Sequence, residues 1–376
     1  MSEILYQINP DRNVPWNNLP LLPIRKELFQ TIEILEKLGD AKAALARLQG
    51  RSVVIPDQGL LINTISLQEA KISSAVENIF TTDDELYKAY SDQSIEINEA
   101  SKEVLRYREA LWSGYNYLKN QDYFDIEYFI KVFQEIKQTK DEIRPDFLNT
   151  TIKQSGTGPT AGQVIYTPPK GKAVIKEKLD NLVAFLNDDE NFKMDYLFKV
   201  AIAHYQFEAI HPFRDGNGRT GRVFNINYLT KKGLLDVPIL FLSRYILDHK
   251  EDYYSGLSGV SQRGNWQYWL LFMLKAIEYT SIITFQKINE IISAKDSILE
   301  FIKKDARKVR NPEDLVNALF TQPFTKVKHL VDSGIYAENT ARDYLNRLCD
   351  IHVLEKKEIE GRHYYLNLEL YRILSE

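Results

Sequence analysis

Twelve residues constrain this chain more than any other stretch of it: HPFRDGNGRTGR, residues 211–222. Pro212 disfavours the α region for the residue before it, so a helix arriving at His211 must stop there with the imidazole at its tip. The preceding residues, DYLFKVAIAHYQFEAI, place Leu197, Val200, Ala201, His204 and Phe207 three and four apart, which predicts a helix with one apolar face. Gly216 and Gly218 allow a tight turn whose backbone N–H groups converge. A second helix is expected to begin near Thr220 and to run through RVFNINYLTKK to Gly233. Its N-terminus offers unpaired donors and a positive dipole end, which together suit a phosphate. Arg219 and Arg222, three apart on the first turns, can both face that anion.

The chemistry available in this loop is specific. His211 is a candidate general base, because its ordinary pKa lies near neutrality. Asp215 offers a hard oxygen ligand to a cation. Phosphoryl and nucleotidyl transfer rely mostly on positioning and on neutralising phosphate charge, and the loop supplies both. A lone GxG is weak, and the Gly-Lys-Ser/Thr ending of a P-loop is missing. A single histidine is more often structural than catalytic. The weight rests on the whole string.

That string resembles the signature of the Fic family, His-Pro-Phe-x-Asp/Glu-Gly-Asn-Gly-Arg-x-x-Arg, at every defined position, with Arg214 in a free slot. The likeness extends over roughly residues 20–280. QSGTGPTAGQVIYTPPKG (154–171) resembles the family's flap, a β-hairpin beside the active site, and Gln163, Val164, Ile165 and Tyr166 have strand composition between Gly162 and Pro168-Pro169. Tyr253-Tyr254 resembles the aromatic pair lining the base pocket. The resemblance implies an enzyme that moves AMP from ATP to a hydroxyl of a target protein, itself included, and releases pyrophosphate. His211 would be the general base, and Asp215 would hold Mg²⁺ between the α- and β-phosphates. Gly216, Asn217, Gly218, Arg219, Thr220 and Gly221 would cradle the nucleotide, and Arg222 would clamp the γ-phosphate. The flap would align the target by main-chain pairing.

A second motif lies upstream in SLQEAKISSAVENIFTT. Ser66 with Glu69 three residues later reads as a capping box, which puts Ser73 and Glu77 one turn apart on one helix face. Alone, that pair is commonplace on solvated helices. Beside a Fic-like loop, Ser73-x-x-x-Glu77-Asn78 resembles the family's inhibitory motif Ser/Thr-x-x-x-Glu-Gly/Asn. The resemblance implies that Glu77 pairs with Arg222 and excludes a productive γ-phosphate.

The remaining sequence sets bounds. With 376 residues, 44% of them hydrophobic and 27% charged, the chain has the composition of a soluble globular protein of two or three domains. The longest strongly apolar run, Tyr268–Leu274, is too short to span a bilayer. No signal peptide is read at the N-terminus. Cys349 is the only cysteine, so no intrachain disulfide can form; a cytoplasmic location fits, and the residue is expected in a core. The remaining histidines show no metal-ligand spacing, and His204 is expected to pack beside the motif.

The expected fold is mainly α: a Fic-type helical core with a small β-hairpin flap, then a C-terminal winged helix-turn-helix-like domain. The expected divisions are an extended arm over 1–23, a helical domain with the inhibitory helix over 24–114, a catalytic core over 115–280, a connecting helix over 281–310 and the last domain over 311–376. The arm carries four prolines, with Trp16 and Leu19 as anchors. Helices are read at 98–119 and 124–138. In the last domain, helical patterns near 312–320, 325–332 and 338–351 precede two strand-like runs around Gly361. That segment has eight Lys/Arg against eleven Asp/Glu, and Glu338 and Asp343 offset Arg342 and Arg347 on the third helix. DNA binding leans on a basic face, so contact with protein is the favoured role. Two alternatives stay open: a DNA-binding regulator with a secondary catalytic loop, and a Fic-type enzyme that uses another nucleotide donor or removes AMP. A homodimer is compatible with the sequence, which names no target.

Overall fold

The computed structural model describes residues 6–53, 58–92, 97–153, 162–305, 309–359 and 361–375. The helices in its first part are α1 (Ile32–Val53), α2 (Gln58–Val76), α3 (Asp83–Ser91), α4 (Glu99–Gln121) and α5 (Ile126–Lys137). A two-stranded antiparallel hairpin follows, β1 (Ile152–Lys153) and β2 (Val164–Tyr166). The central helices are α6 (Lys172–Asn187), α7 (Tyr196–Ile210), α8 (Asn217–Lys231), α9 (Leu242–Asp248), α10 (Lys250–Arg263) and α11 (Trp266–Asp305). The chain then forms α12 (Pro312–Thr321), β3 (Phe324–Thr325), α13 (Val327–Asp332), α14 (Glu338–Asp350), β4 (Leu354–Ile359), β5 (Arg362–Asn367) and α15 (Leu368–Ser375). The second sheet is antiparallel in the order β3-β5-β4. Among the described residues, no helix is long and apolar enough to cross a membrane.

The mainly helical class is as the sequence indicates, and side-chain oxygens set several helix starts. Asn98 accepts from the Ser101 N–H at the head of α4, Asp125 from Tyr128 at α5, and Asp195 from Leu197 at α7. Two expected domain borders, 114/115 and 280/281, fall inside α4 and α11, so continuous helices cross them. Trp16 and Leu19 are buried, and Trp16 donates its backbone N–H to the Thr167 carbonyl at the foot of the hairpin (3.0 Å).

Other expectations are corrected. α7 has no single apolar face, because every residue in it except Tyr196 and Glu208 is buried. It runs between α6, α8, α10 and α11, and neighbours on all sides erase the amphipathic pattern. Ser66 starts no helix: α2 begins at Gln58, so Ser66 lies buried in its middle. Glu69 instead accepts from the backbone N–H of Ser243 (3.0 Å) in the first turn of α9, and burial pushes its carboxyl up to about 7. The capping box in this region belongs to Thr82 and Glu85, at the head of α3. Cys349 is half-buried on α14 rather than in the core.

The C-terminal elements are fastened to the region that carries Ser73 and Glu77. α12 packs on α2, and α15 packs on α11. Asp92, directly after α3, is buried and accepts from Lys326 (2.7 Å), Arg362 (3.0 Å) and the Tyr364 hydroxyl (2.9 Å). Removing the buried Asp92 carboxylate takes away the acceptor shared by Lys326, Arg362 and the Tyr364 hydroxyl. Asp92→Ala is therefore expected to lower unfolding free energy by about 3 kcal/mol, the low end for buried pairs because Arg362 is partly exposed. Urea denaturation checks this, and an unchanged midpoint would show the cluster to be dispensable.

Candidate active site

The loop between α7 and α8 is held in shape from both sides. His211 closes α7 in the left-handed region (φ 49°, ψ 58°), its N–H bonded to the Phe207 carbonyl at 3.0 Å. That conformation is uncommon for a residue other than glycine. Arg144 over-determines it: its Nε donates to the His211 carbonyl (2.8 Å) and its backbone N–H to the Pro212 carbonyl (2.9 Å). The Asn217 amide brackets Phe213, accepting from its N–H and donating to its carbonyl, both at 2.9 Å. Phe213 stacks on Phe133 at 4.2 Å. Gly216 turns the chain at φ 78°, and Thr220 donates its hydroxyl to the Gly216 carbonyl (2.9 Å).

α8 starts at Asn217, three residues before the expected position. Asn217, Gly218 and Arg219 therefore form the first turn, where backbone N–H groups have no intrahelical partner. The Glu77 carboxylate covers that turn. A Cβ on Gly218 would collide with Glu77 Oε1 and lie 3.1 Å from the Arg222 guanidinium, so glycine is what lets the carboxylate approach. Arg222, 1% exposed, donates from Nη2 to Glu77 Oε1 (2.8 Å) and to the Ser73 carbonyl (3.0 Å), and from Nε to the Ser73 hydroxyl (2.8 Å). Burial alone would raise the Glu77 carboxyl; Arg222 outweighs it, with Arg219 and Lys250 adding, and holds it below its ordinary value. Asn78 ends α2 at φ 62°, a conformation asparagine tolerates, and accepts from Lys250 Nζ (3.0 Å).

The two arginines do not face one anion in this conformation. Arg219 turns to α4 and pairs with Glu103, because α8 packs between α4 on one side and α7 on the other. Asp215 is mostly exposed and pairs with Lys137 (2.7 Å). Burial pushes its carboxyl up, but Lys137, joined by the Gly216 N–H and Arg219, outweighs it and keeps the group below the usual carboxylate range.

A cavity of about 200 Å³ opens beside the loop, lined by Glu77, Glu208, His211, Gly218, Ile165 and Tyr254 among others. Burial lowers the His211 pKa to about 4, and Arg144 adds to the effect, so the imidazole is neutral near pH 7. Of the tyrosine pair, only Tyr254 lines the cavity. Tyr253 is buried behind it, its hydroxyl 2.8 Å from His204 Nε2, so it supports the wall rather than forming it. His204 does pack beside the motif, against Gly221.

Residues 154–161 of the expected flap lie outside the described residues. Within the hairpin, Val164 pairs with Lys153 and Tyr166 with Ile152. Ile165 and Tyr166 both border the cavity, and Tyr166 donates its hydroxyl to the Ala209 carbonyl (2.8 Å). Gln163 is exposed just before the strand. Arg144, Glu103, Lys137 and Lys250 carry no local sequence signal of their roles. Glu208 did carry one, a spacing of three from His211 on the same helix.

Among the described residues, no three His, Cys, Asp or Glu side chains gather as a metal cage. The lone exposed carboxylate of Asp215 nevertheless fits Mg²⁺, which keeps several waters and takes substrate phosphates alongside one or two carboxylates.

Three family models match the chain. Residues 35–116 match the family model "Fic/DOC family N-terminal" and residues 123–229 match "Fic/DOC family". Residues 295–370 match "Protein adenylyltransferase SoFic-like, C-terminal domain". The chain is 27% identical over 139 residues to Protein adenylyltransferase fic-1 of Caenorhabditis elegans, covering 37% of this chain and 24% of that protein. It is 28% identical over 173 residues to a probable protein adenylyltransferase of Aquifex aeolicus, covering 45% and 42%. The matches thus span less than half the length of these relatives. In fold it is similar to a Fic family protein from Desulfovibrio desulfuricans, with TM-score 0.53, 20% identity and coverage of 92% of this chain and 98% of that one. A Fic domain containing signaling protein from Bacteroides thetaiotaomicron also has TM-score 0.53, at 15% identity, covering 66% and 95%.

Proposed function

This chain belongs to the Fic/DOC family, and on that premise we propose that it transfers AMP from ATP to a hydroxyl side chain of a target protein, under restraint by Glu77. The observation that carries the reading is the Glu77 carboxylate seated over the first turn of α8 and bonded to Arg222. A buried arginine beside a helix N-terminus is a site for an anion, and a carboxylate from another helix fills it.

The chemistry follows from the residues in place. A target side chain laid along the flap would bring its hydroxyl to His211, whose neutral ring accepts the proton. The hydroxyl oxygen forms a bond to the α-phosphorus, the bond to the bridging oxygen breaks, and pyrophosphate leaves. The N–H groups of the first α8 turn stabilise charge developing on the α-phosphate oxygens. Tyr254 borders the space for the base. Asp215 would hold Mg²⁺, which would supply positive charge to the triphosphate when bound. Arg222 turns to the γ-phosphate once Glu77 withdraws. Self-modification is the expected background reaction. On α14, Arg342 and Arg347 pair with Glu338 and Asp343 one turn away, in keeping with a C-terminal segment that meets protein rather than DNA.

The reading is tested by offering each nucleoside triphosphate to the Glu77→Gly form and following its intact mass. Addition of AMP from ATP is the expected outcome, and no addition from any donor would refute transfer. In that same background, Asp215→Ala is expected to remove most of the stimulation by Mg²⁺ while leaving the fold intact. A magnesium titration of the two forms checks it; identical curves would place the metal elsewhere.

A further inference from the structure

The proposed reaction leaves one acid in the cavity wall without a role. Glu208 lies on α7 one turn before His211 and lines the same cavity as Glu77 and His211. Its Oε1 is buried with no hydrogen-bond partner among the described residues. It is wedged against α8, where a Cβ on Gly221 would lie 2.5 Å from that oxygen and 3.2 Å from the His204 ring. Gly218, one turn earlier on α8, meets the Glu77 carboxylate. Two carboxylates thus stand near Arg222, one from α7 and one from the turn after α2, and only Glu77 is bonded to it.

We propose that Glu208 is a positioning acid whose proton tracks whichever anion occupies Arg222: it is neutral when Glu77 or a triphosphate is there, and ionised when the site is empty. This rests on the nucleotide-transfer reading above. The groups that face Glu208 are Arg222 of α8, Glu77 just after α2, Tyr253 and Tyr254 of α10, His204 of its own helix and His211 at that helix's end. Only Arg222 and Glu77 are charged near neutrality, since burial lowers His204 to about 3 and His211 to about 4 and raises both tyrosines. Two carboxylates sharing one cation do not both ionise readily. With Glu77 in place, burial pushes Glu208 up to about 8, opposed by Arg222 and reinforced by Glu77.

When Glu77 leaves, its pairing with Arg222 is lost, and a buried cation without a countercharge is costly. Glu208 then releases its proton through the cavity to solvent and becomes that countercharge. An arriving triphosphate restores a negative group at Arg222, so Glu208 takes a proton back.

The test compares Glu77→Gly with Glu77→Gly/Glu208→Gln, measuring Mg-ATP affinity between about pH 6 and about pH 9. In Glu77→Gly, affinity should weaken by up to about tenfold per pH unit above the Glu208 pKa. In the Gln form, which mimics the neutral acid, only the nucleotide's own ionisation should remain, and that is common to both. Calorimetry of Glu77→Gly in two buffers with different ionisation heats gives a second readout that needs no change at 208: net proton uptake on binding. Parallel pH profiles, or no proton uptake by Glu77→Gly, would overturn the proposal. If neither form bound Mg-ATP at any pH, the transfer reading would fall, and this inference with it.

Discussion

Glu77→Gly is expected to raise the rate of AMP incorporation by about 30–150-fold over the wild-type chain. The estimate takes the Glu77–Arg222 lock to be worth about 2–3 kcal/mol, so that only about 0.6–3% of molecules are open at any moment. The pair is well built for that role: Arg222 is almost fully buried, its guanidinium donates to Glu77 (2.8 Å) and to the Ser73 hydroxyl (2.8 Å) and carbonyl (3.0 Å), and Glu77 stands over Gly218. Arg222→Ala should not reproduce the gain, because the same side chain serves the γ-phosphate once freed. The double variant should therefore resemble Arg222→Ala, a non-additive result expected of residues in contact. Rates with labelled ATP for the four forms measure this. Equal rates for wild type and Glu77→Gly would reduce Ser73–Asn78 to an ordinary helix end.

His211→Ala, made in the Glu77→Gly background, is expected to lose about 10²–10⁴-fold in transfer while still binding Mg-ATP. The loss falls on the chemical step because no other imidazole lines the cavity among the described residues, and Glu208 is protonated whenever a triphosphate occupies Arg222. The pH profile gives an independent readout. Burial holds the free-enzyme imidazole at about 4, so kcat/KM should fall only as pH drops through that value. Bound triphosphate brings negative charge beside the ring and favours its protonated form, so the corresponding limb in kcat should appear at higher pH. A His211→Ala form as fast as its parent would take the base role away from this residue.

The parts of the site that were legible in the sequence are those written in local chemistry. Pro212 stopping a helix and Gly216 turning the chain are short-range facts that stand where the spacing put them, while Gly218 falls in the first turn of α8 and Glu77 in the turn just after α2. What failed depended on partners distant in the chain. Ser66 and Glu69 have the pattern of a capping box, yet α2 passes through them because Glu69 is needed at the head of α9. The two arginines of the loop share a face by spacing, but α4 supplies Glu103 and draws Arg219 aside. Arg144, which pins the His211 backbone from 67 residues away, has nothing beside it in sequence to mark it. Tyr253 looked like a twin of Tyr254, and burial against His204 separates them.

The most direct test of the locked transferase is intact-mass spectrometry after incubation with Mg-ATP, run on wild type, Glu77→Gly and Glu77→Gly/His211→Ala. Addition of AMP to Glu77→Gly, with little on wild type and none on the double variant, is the result expected of a His211-dependent reaction restrained by Glu77. AMP addition that is equal on all three, or absent from all three, would contradict it.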